Sequence, residues 1–142
     1  MNFKDCIDSY PFILMEGALG ERLKREFDLD ISGTVAMADL VYQQNEYIDI
    51  AYRYQLPFLA TTPTRRANKE RIYMAGYNES IIADNVDFLR SIKEAANVDM
   101  YIGGLMGCKG DAYTGEEALN LEEAIDFHSW QAGLFKSAKV DF

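Results

Sequence analysis

Short apolar runs alternate with segments of helical hydrophobic period along this chain, and that alternation restricts the folds open to it. Phe12-Ile13-Leu14-Met15 is an apolar run stopped by Glu16-Gly17 and reads as a buried strand, with a short helix following around Ala18 to Phe27. Asp28 to Met37 shows no period and reads as loop. From Asp39 to Tyr54 the apolar residues Leu40, Tyr47, Ile48, Ala51 and Tyr54 form a helical stripe. It must end before Pro57, because proline lacks the amide donor and restricts the residue before it. Phe58-Leu59-Ala60 gives a second strand, closing on the polar cluster Thr61, Thr62 and Thr64. Ile82, Val86, Leu89, Ile92 and Ala96 recur at steps of four and three and mark the clearest helix, with Asn78 or Ser80 available as its N-cap. Asp99 to Leu105 is a third strand running into glycines 103, 104, 107 and 110. A last helix starts at Asn120, which stands at capping-box spacing from Glu123, and its apolar line is Leu121, Ile125, Ala132 and Phe135. Val140-Asp141-Phe142 reads as the opening of a fourth strand.

Strands alternating with helices imply right-handed crossovers and a parallel sheet that needs cover on both faces. The expected fold is α/β, the N-terminal half of a (β/α)8 TIM barrel: three βα units plus the start of a fourth strand, in one incomplete domain spanning 1–142. A complete barrel typically takes roughly 250 residues. No repeat, low-complexity tract or Ser/Gly linker divides the sequence. Ligands in such folds bind at the C-terminal ends of the strands. Here those ends are Glu16-Gly17, Thr62-Pro63-Thr64 and the Gly103 to Gly110 loop. A half-barrel also leaves an unpaired parallel edge. Through it the chain would self-associate or accept a second half-barrel.

Charge and cysteine usage exclude several classes. Lys and Arg total 14 against 23 Asp and Glu, a formal charge of −9, which repels phosphate backbones and anionic lipid. Nucleic acid and membrane are therefore not expected partners. The N-terminus carries Asp5 and Asp8 where a signal peptide would be basic and then apolar, and no apolar run approaches the ~20 residues of a membrane span. A cytoplasmic protein is expected. Cys6 and Cys108 are far apart and form neither a disulfide framework nor a CxxC knuckle, so free thiols are expected.

Each strand end has two readings. Glu16 followed by Gly17 and Gly20 places a carboxylate where a backbone can approach a small ligand closely, although a solvated Glu in a glycine turn fits as well. Thr62-Pro63-Thr64 could offer hydroxyls and backbone groups to a carboxylate, or form a turn and cap. The Gly103 to Asp111 segment lacks the GK[ST] ending and helix start of a phosphate loop, which excludes nucleotide binding by that route. Cys6, Cys108 and His128 have no close spacing to support a metal site, and His128 reads as a packed, hydrogen-bonded side chain. Trp130 and the nine tyrosines read as packing, and Glu116, Glu117, Glu122 and Glu123 as a solvated helix start.

Taken in order, these segments resemble the homocysteine S-methyltransferase family. Glu16 to Glu21 resembles the Asp-Gly-Ala-Met-Gly-Thr-type motif after that family's first strand, with Glu16 in place of the Asp. Thr62-Pro63-Thr64 is similar to its Thr-Asn-Thr-type motif, preceded by a helix with a Tyr at the position of Tyr52. Gly104 to Asp111 resembles the Gly-Ser-Leu-Gly-Pro-Tyr-Gly-Asp-type loop, and the next helix has a His and a Gln like His128 and Gln131. The resemblance covers about Phe12 to Phe142.

It implies a zinc-dependent methyltransferase that moves a methyl group from a donor to the homocysteine thiol, making methionine. A thiol with pKa about 8.5 is mostly protonated at neutral pH, and zinc delivers the thiolate. The family's zinc ligands, a Cys and a later Gly-Gly-Cys-Cys pair, have no counterpart here, so neither metal ligands nor catalytic residues are expected in this chain. What carries over is the substrate-binding half: Glu16 to the ammonium group, with the backbone around Gly17, Thr62 and Thr64 shaping the amino-acid site. The chain alone is then expected to be inactive. The alternative is a non-catalytic half-barrel acting as a binding or interaction module, and a third reading is an unrelated α/β binding domain.

Overall fold

The structure, a computed structural model, describes residues 1–17 and 37–142, with side chains from 45 onward in the second segment. The helix expected around Ala18 to Phe27, and the loop expected after it as far as residue 36, lie outside the described residues. The elements are α1 (Phe3–Ser9), β1 (Leu14–Met15), α2 (Met37–Tyr54), β2 (Phe58–Thr61), α3 (Lys69–Met74), α4 (Ser80–Ala95), β3 (Met100–Gly103) and α5 (Leu121–Ser137). The three strands form one parallel sheet in the order β1-β2-β3. Leu14 pairs with Phe58 and Met15 with Leu59, while Phe58 to Thr61 pair with Met100 to Gly103. Phe12, expected in the first strand, is instead 73% exposed.

Strand alternation sorts these residues onto two faces. Phe58 and Ala60 of β2, with Met100 and Ile102 of β3, pack against Ile48 and Ala51 of α2 and Leu89 and Ile92 of α4. Phe58 is fully buried. Tyr54, expected on the buried stripe of α2, is 65% exposed, so the working face is Ile48 and Ala51. A second cluster joins Ile72 of α3, Ile82 and Val86 of α4 and Phe135 of α5. Leu121 and Ile125, expected on the apolar line of α5, are exposed; Gln131 and Phe135 are the buried residues of that helix. A line of Ala124, His128, Gln131 and Phe135 has better helical spacing, and it is polar at two positions.

The other sheet face carries Met15, Leu59, Thr61, Tyr101 and Gly103. Its cover comes partly from α1, an element sequence periodicity does not mark. Phe3 lies 5.5 Å from the Tyr101 ring and stacks on Phe142 at 4.5 Å. A Cβ at Gly103 would overlap the Phe142 ring, so glycine there admits the aromatic. The last residues run beside β3: Asp141 N–H donates to Ile102 O at 2.7 Å and Gly104 N–H to Phe142 O at 2.9 Å, as the opening of a fourth strand would. The Asp141 carboxylate also accepts Ile102 N–H and Lys93 Nζ, each at 2.8 Å, tying β3 to α4.

Helix ends follow local chemistry. Asn120 and Glu123 form the expected capping box on α5. On α4 the N-cap is Glu79 without a side-chain bond, and Asn78 instead accepts from Ser80 N–H at 2.8 Å. Three helices close in the same paired-bond motif, in which the residue after the cap turns left-handed. At α3 that residue is Gly76, but at α2 it is Gln55 (φ 55°) and at α5 Lys139 (φ 56°). A side chain in that region costs roughly 1–2 kcal/mol. Gln55→Gly and Lys139→Gly are therefore expected to raise stability by about 0.5–1 kcal/mol each, net of the entropy glycine adds to the unfolded chain, as read by urea denaturation.

Tyr101 is held well above its usual pKa of 10.0, first by burial, then by the neighbouring Cys6 thiol and the nearby Asp99 and Asp141 charges, while its hydroxyl donates to Met1 O at 3.3 Å. Because the folded state keeps the phenolic proton longer than the unfolded chain, stability holds below about pH 10 and falls above it. Tyr101→Phe should flatten this alkaline fall, measured as unfolding free energy against pH.

Candidate functional site

The C-terminal ends of β1 and β2 meet at Glu16. The Met15–Leu59 register brings Thr61 to it, and Thr61 N–H and Oγ1 both donate to Glu16 Oε1 at 2.6 Å. Two donors on one oxygen fix the carboxylate's orientation in a half-buried setting. An ionised carboxylate accepts only, and its chemistry matches N–H donors such as those of an ammonium group. Gly17 follows directly, and a Cβ there would lie 2.9 Å from the Tyr47 hydroxyl. Glycine thus lets Tyr47, whose ring stacks on Phe58 at 6.3 Å, reach the end of β1. The sequence places Thr61 in the polar cluster after β2 and Tyr47 on the α2 stripe, but only strand register sets Thr61 against Glu16 and only helix placement sets Tyr47 against Gly17. Tyr52, the tyrosine singled out by the motif comparison, lines a pocket with Pro57 and Asp99 at the opposite end of the strands.

Thr62 and Thr64 are fully buried and their hydroxyls touch at 2.7 Å. Leu105 N–H donates to Thr62 Oγ1 at 3.1 Å, and Thr64 Oγ1 donates to Leu105 O at 2.9 Å. Thr64 has one hydroxyl proton and it goes to Leu105, so Thr62 must be the donor between the two hydroxyls. The result is a closed ring in which both hydroxyl protons are committed internally, clamping the loop after β3 onto the end of β2. Gln131, buried on α5, adds a bond from Nε2 to Thr64 O at 2.9 Å. The threonines thus shape this end of the sheet through the backbone they hold.

The glycines of the β3 loop are steric. A Cβ at Gly104 would lie 2.6 Å from the Phe135 ring, and one at Gly107 2.5 Å from Arg65 O. Gly110 (φ 66°) adopts a left-handed turn.

No group of three or more His, Cys, Asp or Glu among the described residues could hold a metal ion. Both cysteines are free: Cys6 is buried beneath the sheet near Tyr101, and Cys108 is exposed in the β3 loop. His128 is half-buried, with its ring edge-on to Phe127 at 5.1 Å. Among the described residues no helix is long and apolar enough to cross a membrane.

This arrangement, an α/β fold with three parallel strands and a polar cluster at their C-terminal ends, corresponds to about half of a TIM barrel. No protein-family model matches the chain and no curated protein matches it. The fold is similar to the crystal structure of the metallated form of the homocysteine methyltransferase MmuM from Escherichia coli, with a TM-score of 0.69 and 19% identity. The match covers 98% of this chain and 55% of that one, so the chain spans about half the length of that enzyme. At this identity the likeness is one of fold.

Thr62→Val should cost about 1–3 kcal/mol by leaving Leu105 N–H without its acceptor and Thr64 Oγ1 without its donor, while Thr62→Ser keeps the ring and most of the stability. Urea unfolding and hydrogen exchange at the Leu105 amide distinguish the two.

Proposed function

We propose that this chain binds homocysteine as the substrate-binding half of a homocysteine S-methyltransferase, an enzyme that forms methionine by methyl transfer to the homocysteine thiol. The observation that carries this reading is the Glu16 carboxylate, oriented by Thr61 at the end of β1, in a fold that matches half of such an enzyme. Glu16 takes the ammonium group. The backbone of Gly17, Thr62 and Thr64 shapes the amino-acid site, with Leu105 held against it. The described residues do not fit zinc, since Cys6 lies under the sheet and no ligand cluster is present. Zinc and its thiolate chemistry are therefore not assigned to these residues, and the methyl donor is not assigned either.

Glu16→Gln keeps an acceptor for Thr61 and removes the charge. The expected outcome is that homocysteine or methionine raises the melting temperature of the parent chain and fails to do so for Glu16→Gln. Ligand at a hundredfold excess over Kd stabilises by about 2.7 kcal/mol, which is readily measured. No response of the parent chain to either amino acid would overturn the homocysteine-binding reading.

Exposed apolar side chains favour a second reading, a half-barrel interaction module. Met15 is 48%, Ile125 56% and Leu121 78% exposed. Light scattering separates the two, because a discrete stable dimer supports the module and heterogeneous aggregate supports an enzyme half lacking its complement.

A further inference from the structure

Arg65 and Arg66 occupy the central positions of a β-turn at the end of β2, closed by Ala67 N–H donating to Thr64 O at 2.9 Å. The base of this turn is held by several hydrogen bonds. Thr64 O also accepts Gln131 Nε2, and Thr64 Oγ1 belongs to the buried hydroxyl ring. Gly107 admits the turn, since any side chain there would strike Arg65 O. Both arginines are exposed, as are Lys69 and Arg71 just beyond.

From Arg65 to Arg71 four cations stand against one carboxylate, Glu70, on a chain of formal charge −9, and none of the four forms an ion pair among the described residues. A positive spot on a negative chain concentrates anions locally. Guanidinium groups match phosphate and carboxylate oxygens with paired N–H donors, and a turn fixed in advance lowers the ordering cost of binding.

We propose that the Arg65–Arg66 turn is a binding site for a small, multiply charged oxyanion, phosphate or clustered carboxylate, at the C-terminal end of β2. The site requires neither methyl transfer nor homocysteine binding, and it stands if that reading fails.

The test is calorimetric titration of the 142-residue chain with tripolyphosphate and, separately, citrate at about 0.15 M ionic strength, where exposed charges are largely screened beyond ~8 Å. The comparison is Arg65→Gln/Arg66→Gln against Arg53→Gln/Lys136→Gln, which removes the same charge from exposed positions elsewhere. The first pair should weaken binding at least about tenfold, equivalent to 1.4 kcal/mol, and the control pair should leave it unchanged. Tighter binding of tripolyphosphate assigns the site to phosphate, and tighter citrate binding assigns it to carboxylates. Should the first variant melt early, Arg65→Lys/Arg66→Lys keeps the charge while removing the paired donors, and is expected to bind more weakly than the parent. Binding of neither anion by the parent chain, or equal losses in both glutamine pairs, overturns the proposal.

Discussion

The sheet is arranged around β2, which pairs in parallel with β3 along all four of its residues and with β1 at Phe58 and Leu59. A strand paired on both edges has no solvated backbone, and a parallel sheet is stable only when both faces are covered. Helices α2 and α4 cover one face with Ile48, Ala51, Leu89 and Ile92. The other face is closed more economically, by Phe3 and Cys6 of α1 and by Phe142. Tyr101 sits between these parts, which is why its phenol is so strongly kept neutral.

At the C-terminal ends of the strands, small residues serve proximity rather than flexibility. Gly17 admits Tyr47, Gly104 admits Phe135 and Gly107 admits the Arg65 backbone. Buried hydroxyls serve the same end. The Thr62–Thr64 pair satisfies both backbone groups of Leu105, so a loop that would otherwise be free to move is stitched to β2. The consequence for function is a rigid rim on which two charged groups of opposite sign are displayed, the Glu16 carboxylate held by Thr61 and the arginine pair held through Thr64. Their rigidity has one source, the hydrogen bonds at the end of β2.

The strongly periodic parts of the chain are legible in its sequence. The stripe Ile82-Val86-Leu89-Ile92 is the buried face of α4, and Asn120 with Glu123 caps α5. Both depend on residues within a few positions of one another. Periodicity misplaced the buried line of α5, because Gln131 is buried for its hydrogen bond to Thr64 O and not for its hydropathy. The short helices α1 and α3 carry no readable signal for a related reason: seven and six residues are too few for a period to show, and tertiary contacts stabilise them.

The sequence by itself determined the order of the three strands and the long helices, the parallel α/β class and the strand ends as the place for a site, since each follows from local period, proline and glycine placement, and the connections parallel strands require. It also put Glu16, Gly17, Thr62 and Thr64 at those ends. Only the tertiary structure decided what these residues touch. Strand register set Thr61 against Glu16, the crossing of α2 set Tyr47 against Gly17, and the return of the β3 loop gave both threonine hydroxyl protons to an internal ring. Hydrogen bonds between residues some forty positions apart are settled by packing, which no local pattern encodes.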